Sequence, residues 1–405
     1  MRYIVDGAYG FDNLGDEAML ATAIEVLQRQ SSDIDLWVSS YSPAKITDLH
    51  DVNATNFLLL GTLLRNFAKF DLSAILEQIS FIRNTDALIF AGGSILHDKK
   101  GLRNILVIFY KCLFFKIFGK KIVFWGVAHD RMNSLISKAS LYLIMRCSSL
   151  VLLRDEKSFD LLPNNLKAKN HISWGVDILF GQISRLANVR PARPAVDDGE
   201  LRIGLSLRPY PPNLGADQQA YDGALVKQLG AYLSKVAHFS ERRVTVVPLI
   251  FSEGDHARDD SAIISRVQKC ASNCVFLWPD LAISECAIGD FSNLLIDYSA
   301  TISELDFVIG ERFHSLVLAQ ILEVPYIAIS YDKKIDQLVQ VTGMKNYCVD
   351  LVSSLRVGDL SEQLLQMTSS LLLAHKQVQE KLSVSNLALE RKALDNQRAV
   401  ITALI

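Results

Sequence analysis

The 405-residue sequence lacks a pronounced charge of either sign, and it has few cysteines. Its formal net charge is -2 at pH 7, so the strongly basic surface of a nucleic-acid-binding domain is not expected. The six cysteines are scattered, and only Cys270 and Cys274 lie close together. Neither a second Cys pair nor a His pair follows at zinc spacing. We therefore predict reduced thiols, no metal site and no nucleic-acid partner.

Long apolar runs are also missing. No stretch of about 18 apolar residues without a charge occurs, whereas about 20 are needed to cross a bilayer. The first residues, MRYIVDGAYG, contain no basic segment followed by an apolar run, so no secretory signal is predicted. These absences favour a cytoplasmic protein.

One segment nevertheless combines aromatic and basic residues in a way that suits a membrane surface. Residues 102–121 read LRNILVIFYKCLFFKIFGKK, with aromatic residues interleaved with lysines. A helix of this kind can lie in the plane of the lipid headgroups. A buried crossover helix whose lysines face solvent would have the same pattern. The segment therefore predicts either peripheral membrane contact or an ordinary core helix.

Apolar runs alternate with helical patterns along most of the chain. In the first half the predicted strands are 3–5, 34–38, 87–90, 122–125, 150–153 and 171–174. In the second half they are 202–207, 243–248, 274–277, 306–309 and 326–329. Strict alternation of polar and apolar residues is rare within these runs. This combination is typical of parallel sheets that helices cover on both faces.

A stretch without periodicity divides the chain into two parts. Residues 185–200 read RLANVRPARPAVDDGE and have the prolines and mixed charge of a linker. We therefore predict an α/β protein with two Rossmann-like lobes, 1–184 and 201–350, that face each other across a cleft. Residues 351–405 are predicted to form a carboxy-terminal helical tail.

The most informative stretch is residues 306–336, DFVIGERFHSLVLAQILEVPYIAISYDKKID. It predicts strand, turn, helix and strand, with polar residues at the carboxyl ends of both strands, where ligands of open α/β sheets bind. Arg312 and His314 lie where the helix begins. The guanidinium and the helix amino end would attract an anion, and the imidazole could move a proton. The alternative is an ordinary βαβ unit in which His314 is packed and Arg312 caps a neighbour.

The first strand is followed by a similar turn, GAYGFDNLGDEA at 7–18. Its glycines, including Gly15, allow a tight turn and a close approach of ligand to backbone. The turn is neither G-x-G-x-x-G nor a P-loop, and it presents Asn13 and Asp16 at the edge of the sheet. The alternative is a plain helix start at which Asp16 and Glu17 answer the helix dipole.

Three weaker motifs also follow predicted strands. They are AGGS at 91–94 with His97 shortly after it, Arg154 in LRDE, and Arg208 in SLRP. Together with Arg312, these arginines come from both halves of the chain, and each is predicted to lie at the carboxyl edge of a sheet. Guanidinium groups bind carboxylates and phosphates by paired hydrogen bonds. A small phosphorylated carboxylate therefore fits this edge better than a neutral sugar alone.

Taken in order, the motifs resemble those of the polysaccharide pyruvyl transferase family. The resemblance rests on the segments at 7–18, 91–98 (AGGSILHD), 153–156 (LRDE), 312–315 (RFHS) and 329–336 (ISYDKKID). It implies a two-lobed fold of the GT-B glycosyltransferase type. It also implies a reaction in which phosphoenolpyruvate and a sugar diol give a cyclic pyruvate ketal and phosphate. No cofactor is implied beyond phosphoenolpyruvate as co-substrate.

The resemblance further implies roles for individual residues. The donor side would consist of Arg208, Arg312, Phe313, His314 and Lys333. The acceptor side would consist of Asn13, Asp16, Gly93, His97 and Arg154. His314 would protonate the enol methylene, Asp16 would hold or deprotonate an acceptor hydroxyl, and Arg312 would complete the catalytic set. The acceptor would be a cell-surface or capsular polysaccharide precursor that can be lipid-linked, which sets the enzyme at the inner face of the plasma membrane if 102–121 contacts lipid.

Two other functions fit parts of the sequence. A glycosyltransferase of the same architecture would bind a nucleotide-sugar in the second lobe. A non-catalytic sugar-binding or scaffold protein would be expected to have lost Asp16 or the pair of Arg312 and His314, and all three are present. Binding of phosphoenolpyruvate distinguishes the first hypothesis from the other two.

Overall fold

The computed structural model describes residues 1–31, 33–56, 72–99, 101–188, 199–209, 218–254 and 259–405. The chain forms two α/β domains, each built on a parallel sheet, and a carboxy-terminal group of helices. The predicted fold class is confirmed.

The amino-terminal domain is built on a sheet of seven strands in the order β3-β2-β1-β4-β5-β6-β7. The strands are β1 Arg2–Asp6, β2 Asp35–Ser39, β3 Asn53–Thr55, β4 Ala87–Ala91, β5 Lys121–Val127, β6 Leu150–Leu153 and β7 Ile172–Trp174. All pairs are parallel. The strand order reverses between β1 and β4, so loops that follow these strands diverge and open a crevice. The short strand β3 was not predicted from the sequence.

Helices cover both faces of this sheet. They are α1 Leu14–Gln28, α2 Pro43–His50, α3 Leu72–Arg83, α4 Arg103–Ile117, α5 Leu135–Cys147, α6 Glu156–Asp160, α7 Asn164–Lys167 and α8 Ile183–Ala187, with a 3-10 turn at Ile178–Gln182. The predicted linker, 185–200, begins inside α8. Its central part, 189–198, lies outside the described residues.

The second domain has six parallel strands in the order β10-β9-β8-β11-β12-β13. They are β8 Glu200–Ser206, β9 Arg243–Pro248, β10 Val275–Phe276, β11 Phe307–Gly310, β12 Tyr326–Ser330 and β13 Cys348–Asp350. The helices between them are α9 Gln218–Phe239, α10 Asp260–Cys270, α11 Phe291–Ser303, α12 Phe313–Ile321 and α13 Lys333–Val341. The order reverses between β8 and β11, as in a doubly wound nucleotide-binding fold.

The carboxy-terminal helices pack on the second domain, and the last of them also contacts the first. They are α14 Leu351–Val357, α15 Leu360–Leu373 and α16 His375–Leu404. Near its start, α16 contacts the second domain, where Asn386 Nδ2 donates to the Gln320 carbonyl at 2.9 Å. Near its end it contacts the first, where the Leu404 carbonyl accepts from Lys121 Nζ at 3.0 Å. The predicted helical tail is present, and its last helix returns to the amino-terminal lobe.

The carboxyl edges of the two sheets face each other and are joined by backbone contacts. Leu14 N donates to the Phe251 carbonyl at 2.9 Å, and Glu253 N donates to the Asp12 carbonyl at 3.1 Å. Behind these bonds, apolar side chains of both lobes form one buried cluster that includes Leu14 and Phe251. Loops from the two sheets are therefore held together across the cleft.

Residues 102–121, predicted to be either a membrane-contact helix or a core helix, contain α4. Its inner face, with Ile105, Cys112 and Phe115, is buried in the core of the first domain. Lys111 is buried as well and pairs with Asp6, whereas Ile117 on the outer face is 66% exposed. Across the described ranges, no helix is both long enough and apolar enough to pass through a bilayer.

Candidate active site

A pocket of about 430 Å³ lies in the cleft between the lobes. Its wall residues come from the loops and helix starts that follow β1, β4, β6, β8, β9, β11 and β12. They are Asn13, Asp16, Gly93, Ser94, Arg154, Arg208, Phe251, Arg312, Phe313, His314, Tyr331 and Lys334. We call this the cleft pocket. It lies at the points where both strand orders reverse, where the fold favours ligand binding.

The turn after β1 presents Asp16 to the pocket. Asn13 caps α1, and its Oδ1 accepts from Asp16 N at 3.1 Å. Burial raises the pKa of Asp16 to about 6, although the charges of His314, Lys334 and Arg312 across the pocket oppose the increase. A carboxylate with this pKa is ionised at neutral pH and remains basic enough to take up a proton.

The neighbouring Glu17 supports the same turn from inside the protein. Its side chain is buried; Oε1 accepts from Gly10 N at 2.7 Å and Oε2 is 2.9 Å from His50 Nε2. Asp16 and Glu17 therefore have separate tasks. The first faces the pocket, and the second stabilises the loop that carries it.

On the opposite wall, Arg312 is held by a buried carboxylate that the sequence did not reveal. Arg312 Nε lies 3.1 and 3.0 Å from the two oxygens of Asp260, and Nη2 also bonds to Asp260. The same carboxylate accepts from Phe251 N at 3.0 Å and Ser252 N at 3.1 Å. Burial lowers the pKa of Arg312, but the Asp260 charge outweighs this effect and the net pKa is raised. The guanidinium is thus a fixed cation.

Arg208 lies on the same wall and has a different support. Its Nη1 donates to Tyr331 Oη at 2.7 Å, and its backbone N donates to Glu311 Oε2 at 3.2 Å. Burial raises the pKa of Glu311 to about 8, with Arg208 opposing the increase. At neutral pH Glu311 is therefore mostly protonated. The positive charge of Arg208 is left available to a ligand.

Phe313 lies close to two further cations, one from each lobe. The Arg154 guanidinium lies 4.6 Å from the centroid of the Phe313 ring, and Lys334 Nζ lies 5.8 Å from it. Cations are attracted to the faces of aromatic rings at such distances. Burial raises the pKa of Tyr331, but Lys334 and Arg208 outweigh it, so the net pKa lies below its ordinary value. The pocket is therefore strongly positive around Tyr331.

His314, at the start of α12, reaches across to the amino-terminal lobe. Its Nε2 lies 3.7 Å from Oδ2 of Asp177, which follows β7. Gly15 of α1 packs against the other side of the ring: a Cβ at Gly15 would lie 1.9 Å from His314 Nδ1. This clearance requires glycine at position 15. The imidazole is thus enclosed by both lobes.

Residues 13–333 match the family model described as polysaccharide pyruvyl transferase. The chain belongs to the polysaccharide pyruvyl transferase family. The matched range begins at Asn13 and ends at Lys333, so it spans both walls of the cleft pocket. The family resemblance predicted from the sequence motifs is confirmed.

Several solved structures share the fold at low sequence identity. UDP-GlcNAc 2-epimerase from Neisseria meningitidis, bound to UDP-GlcNAc, has a TM-score of 0.59 and 12% identity over 100% of this chain and 99% of that one. An Anabaena protein in complex with UDP and glucose has a TM-score of 0.53 and 11% identity over 100% and 99%. UDP-GlcNAc 2-epimerase from Methanocaldococcus jannaschii has a TM-score of 0.52 and 12% identity over 91% of this chain and 92% of that one. They share the two-lobed GT-B-like fold with this family member.

Most residues predicted from the motifs line the pocket of this pyruvyl transferase family member. Eight do so: Asn13, Asp16, Gly93, Arg154, Arg208, Arg312, Phe313 and His314. Lys333 does not; it is exposed at the first position of α13, and Lys334 lines the pocket instead. Consecutive residues of a helix point about 100° apart, so an error of one position changes the face. His97 is also absent from the pocket wall.

The sequence prediction missed several residues that line or support the pocket. Phe251, Tyr331 and Lys334 line the pocket. Asp260 pairs with Arg312, and Asp177 faces His314. Asp177 follows a predicted strand by three residues, so the rule that selected the other candidates could have found it. Asp260 belongs to a helix start and is 52 residues from Arg312, and no local signal indicates that they meet.

Proposed function

We propose that the protein is a ketal-forming pyruvyltransferase that uses phosphoenolpyruvate and a sugar diol of a polysaccharide precursor. The observation that carries this proposal is the composition of the cleft pocket. One wall combines cations, and the other presents a carboxyl group with a pKa of about 6. His314 lies where they meet. An anionic donor and a hydroxylated acceptor each have a wall suited to their chemistry.

The wall formed by Arg208, Arg312 and Lys334, which we call the cationic wall, suits phosphoenolpyruvate because this donor carries both a carboxylate and a phosphate. Arg208 has a buried Nε that finds no hydrogen-bond acceptor within the described part of the chain. Arg312 is oriented by Asp260, and Lys334 lies close to both Phe313 and Tyr331. Guanidinium groups bind such anions with two parallel hydrogen bonds. Fixing both anionic groups would hold the enol carbon at a defined place.

The reaction requires three changes that the remaining residues can support. The imidazolium of His314 gives a proton to the methylene carbon of the donor, which becomes a methyl group. The two acceptor hydroxyl oxygens form bonds to the central carbon, and the bond from that carbon to the phosphate oxygen breaks. Of the two hydroxyl protons, one restores His314 and the other leaves with phosphate. Asp16 can take up a hydroxyl proton first, since its pKa is about 6.

A lipid-linked acceptor would bring the protein to a membrane surface, and α4 has a side that suits this. Leu113 is 41% and Ile117 is 66% exposed, and Lys116 is exposed between them. Apolar residues beside lysines bind anionic lipid surfaces. We propose that this side of α4 contacts the inner face of the plasma membrane.

Vesicle sedimentation tests the membrane contact. The charge-reversing pair Lys116→Glu and Lys120→Glu should weaken binding to vesicles that contain phosphatidylserine. Lys345 is exposed in the second domain. The control substitution Lys345→Glu should leave vesicle binding unchanged. Equal sedimentation of all variants would contradict the membrane contact and leave α4 as a core helix.

Calorimetric titration with phosphoenolpyruvate tests the donor. We expect saturable binding to the wild type and a loss of at least tenfold in affinity in Arg208→Met, because one bidentate anion contact is worth more than 1.4 kcal/mol. Arg243→Met, at the exposed start of β9, controls for the loss of charge. Binding of a nucleotide-sugar but not of phosphoenolpyruvate would contradict the proposal and indicate a glycosyltransferase.

A further inference from the structure

Asp177 and His314 form a carboxylate–imidazole pair whose members come from different lobes. Asp177 follows β7 in the amino-terminal domain, and His314 begins α12 in the second. The atoms Asp177 Oδ2 and His314 Nε2 are 3.7 Å apart. This is an ion-pair distance, and a shift of less than about 1 Å would make it a hydrogen bond. Catalytic hydrogen bonds often tighten in this way when substrate binds.

Both facing atoms are buried, and neither has a hydrogen-bond partner in the described ranges. Asp177 Oδ2 and His314 Nε2 are each cut off from solvent, and the Asp177 side chain is 1% exposed. An isolated buried polar atom costs about 1–3 kcal/mol. A small approach of these two atoms would satisfy both of them, and it would leave the imidazole Nδ1 for another task.

The Asp177 carboxylate is itself held in place. Its other oxygen, Oδ1, accepts from Leu179 N at 3.1 Å, where it caps the 3-10 turn Ile178–Gln182. Burial alone would raise the pKa of Asp177, but His314, Arg154 and the Leu179 N–H outweigh it, so the pKa lies below its ordinary value. A fixed, ionised carboxylate is the partner that determines which nitrogen of an imidazole carries the proton.

We propose that Asp177 is a positioning residue that accepts the Nε2–H of His314 and so directs Nδ1 to the substrate. The inference rests on the proposed function, because it assigns the nitrogen that gives the proton to the donor methylene. Since the pair spans the cleft, the acid is oriented only when the two lobes are together.

Several other charged groups lie near His314, and their effects on the imidazole add to that of Asp177. Asp16 faces the imidazole from α1, and Arg312 and Lys334 lie on the cationic wall. Arg154 acts on Asp177 from the loop after β6. Among these groups Asp177 is the carboxylate that directly faces a ring nitrogen of His314. The effect of Asp177 should therefore be separable from that of Asp16.

The first test needs no substrate and uses nuclear magnetic resonance of the full-length protein labelled with ¹⁵N-histidine. The signal of His314 is assigned by its loss in His314→Gln. In the wild type we expect the Nε2–H tautomer when the ring is neutral. In Asp177→Asn the amide would donate to Nε2, which favours the Nδ1–H tautomer. An unchanged tautomer would overturn the proposal.

The second test uses turnover. In Asp177→Asn, kcat should fall by about 100-fold or more, the usual contribution of an oriented general acid, while KM for phosphoenolpyruvate changes less than threefold. Asp177→Glu should restore part of the rate, and Asp130→Asn on the same lobe should have the rate of the wild type. A normal rate in Asp177→Asn would contradict the proposal.

The two tests fail in different ways. If the protein turns over no phosphoenolpyruvate at all, the proposed function is wrong, and the tautomer of His314 still decides whether Asp177 orients it. If Asp177→Asn does not fold, as a thermal melt would reveal, the wild-type spectrum alone decides: an Nδ1–H tautomer excludes the pair.

Discussion

The two walls of the cleft pocket are stabilised in opposite ways. On the wall of the second domain, Arg312 is bound by Asp260 and Arg208 by Tyr331 and Glu311, all within that domain. On the amino-terminal wall, the cations that oppose the raised pKa of Asp16 belong to the other lobe. The supports of the two arginines therefore lie within one domain and do not depend on the other lobe.

This difference has a consequence for the order of binding. A preorganised cationic wall can hold an anionic donor without help from the other lobe, since its side chains are already fixed. The proposed acid and base each have a partner in the other lobe: His314 meets Asp177 and Gly15, and Asp16 faces the cations of the second domain. If the lobes moved apart, the proposed proton transfers would lose these contacts.

The largest expected effect comes from the residue at which the walls meet. His314→Gln should reduce kcat by at least 1000-fold, because it removes the proposed acid, and should leave phosphoenolpyruvate affinity within threefold. His238→Gln, at the exposed end of α9, is the control. Release of phosphate and binding heats measure the two quantities. Substantial turnover by His314→Gln would show that the reaction does not require His314 as an acid.

Gly15→Ala tests the contact between the walls without removing any functional group. The added Cβ would lie 1.9 Å from His314 Nδ1, so the ring must move, and kcat should fall by about 100-fold. Gly223→Ala in α9 meets nothing within 4 Å and should keep full activity. A thermal melt of each variant verifies the fold. Unchanged kcat in Gly15→Ala would mean that the ring has room to shift without loss.

Asp260→Asn tests the internal support of the cationic wall. The neutral amide cannot neutralise Arg312, so the guanidinium loses its fixed orientation, and KM for phosphoenolpyruvate should rise by about 10-fold or more. The adjacent Asp259→Asn keeps an oxygen to cap α10, where Asp259 Oδ1 accepts from Ser261 N at 2.8 Å, and should have the wild-type KM. Equal KM values for both variants would contradict the role of Asp260.

The smallest effect is one of stability. The folded-state pKa of Asp16 is raised from 3.8 to about 6, so the folded protein loses stability as the pH rises through this window. Above it, the loss is complete and amounts to at most about 3 kcal/mol. Asp16→Asn should therefore be more stable than the wild type at pH 8 and similar at pH 4. Denaturant unfolding at both pH values measures this; equal stability at pH 8 would mean that the cations across the cleft compensate Asp16 fully.

The sequence by itself was sufficient for the fold class, for the family and for most of the pocket. Buried parallel strands appear as continuous apolar runs, and their carboxyl ends converge at one edge. A polar residue after such a run, as Asn13, Arg154 or Arg312 is, can therefore be assigned to the edge without knowing its neighbours. The short strands β3 and β13 escaped prediction because their sequences, NAT and CVD, include polar residues and form no continuous apolar run.

Only the tertiary structure decided which residues support the site. Asp260 meets Arg312 because a helix start and a strand end, 52 residues apart, converge, and Asp177 meets His314 because two separate domains close on each other. Lys334, not Lys333, reaches the pocket because the phase of α13 depends on where the helix begins. Local patterns record the periodicity of single elements, whereas the distance between two elements depends on how the whole chain packs.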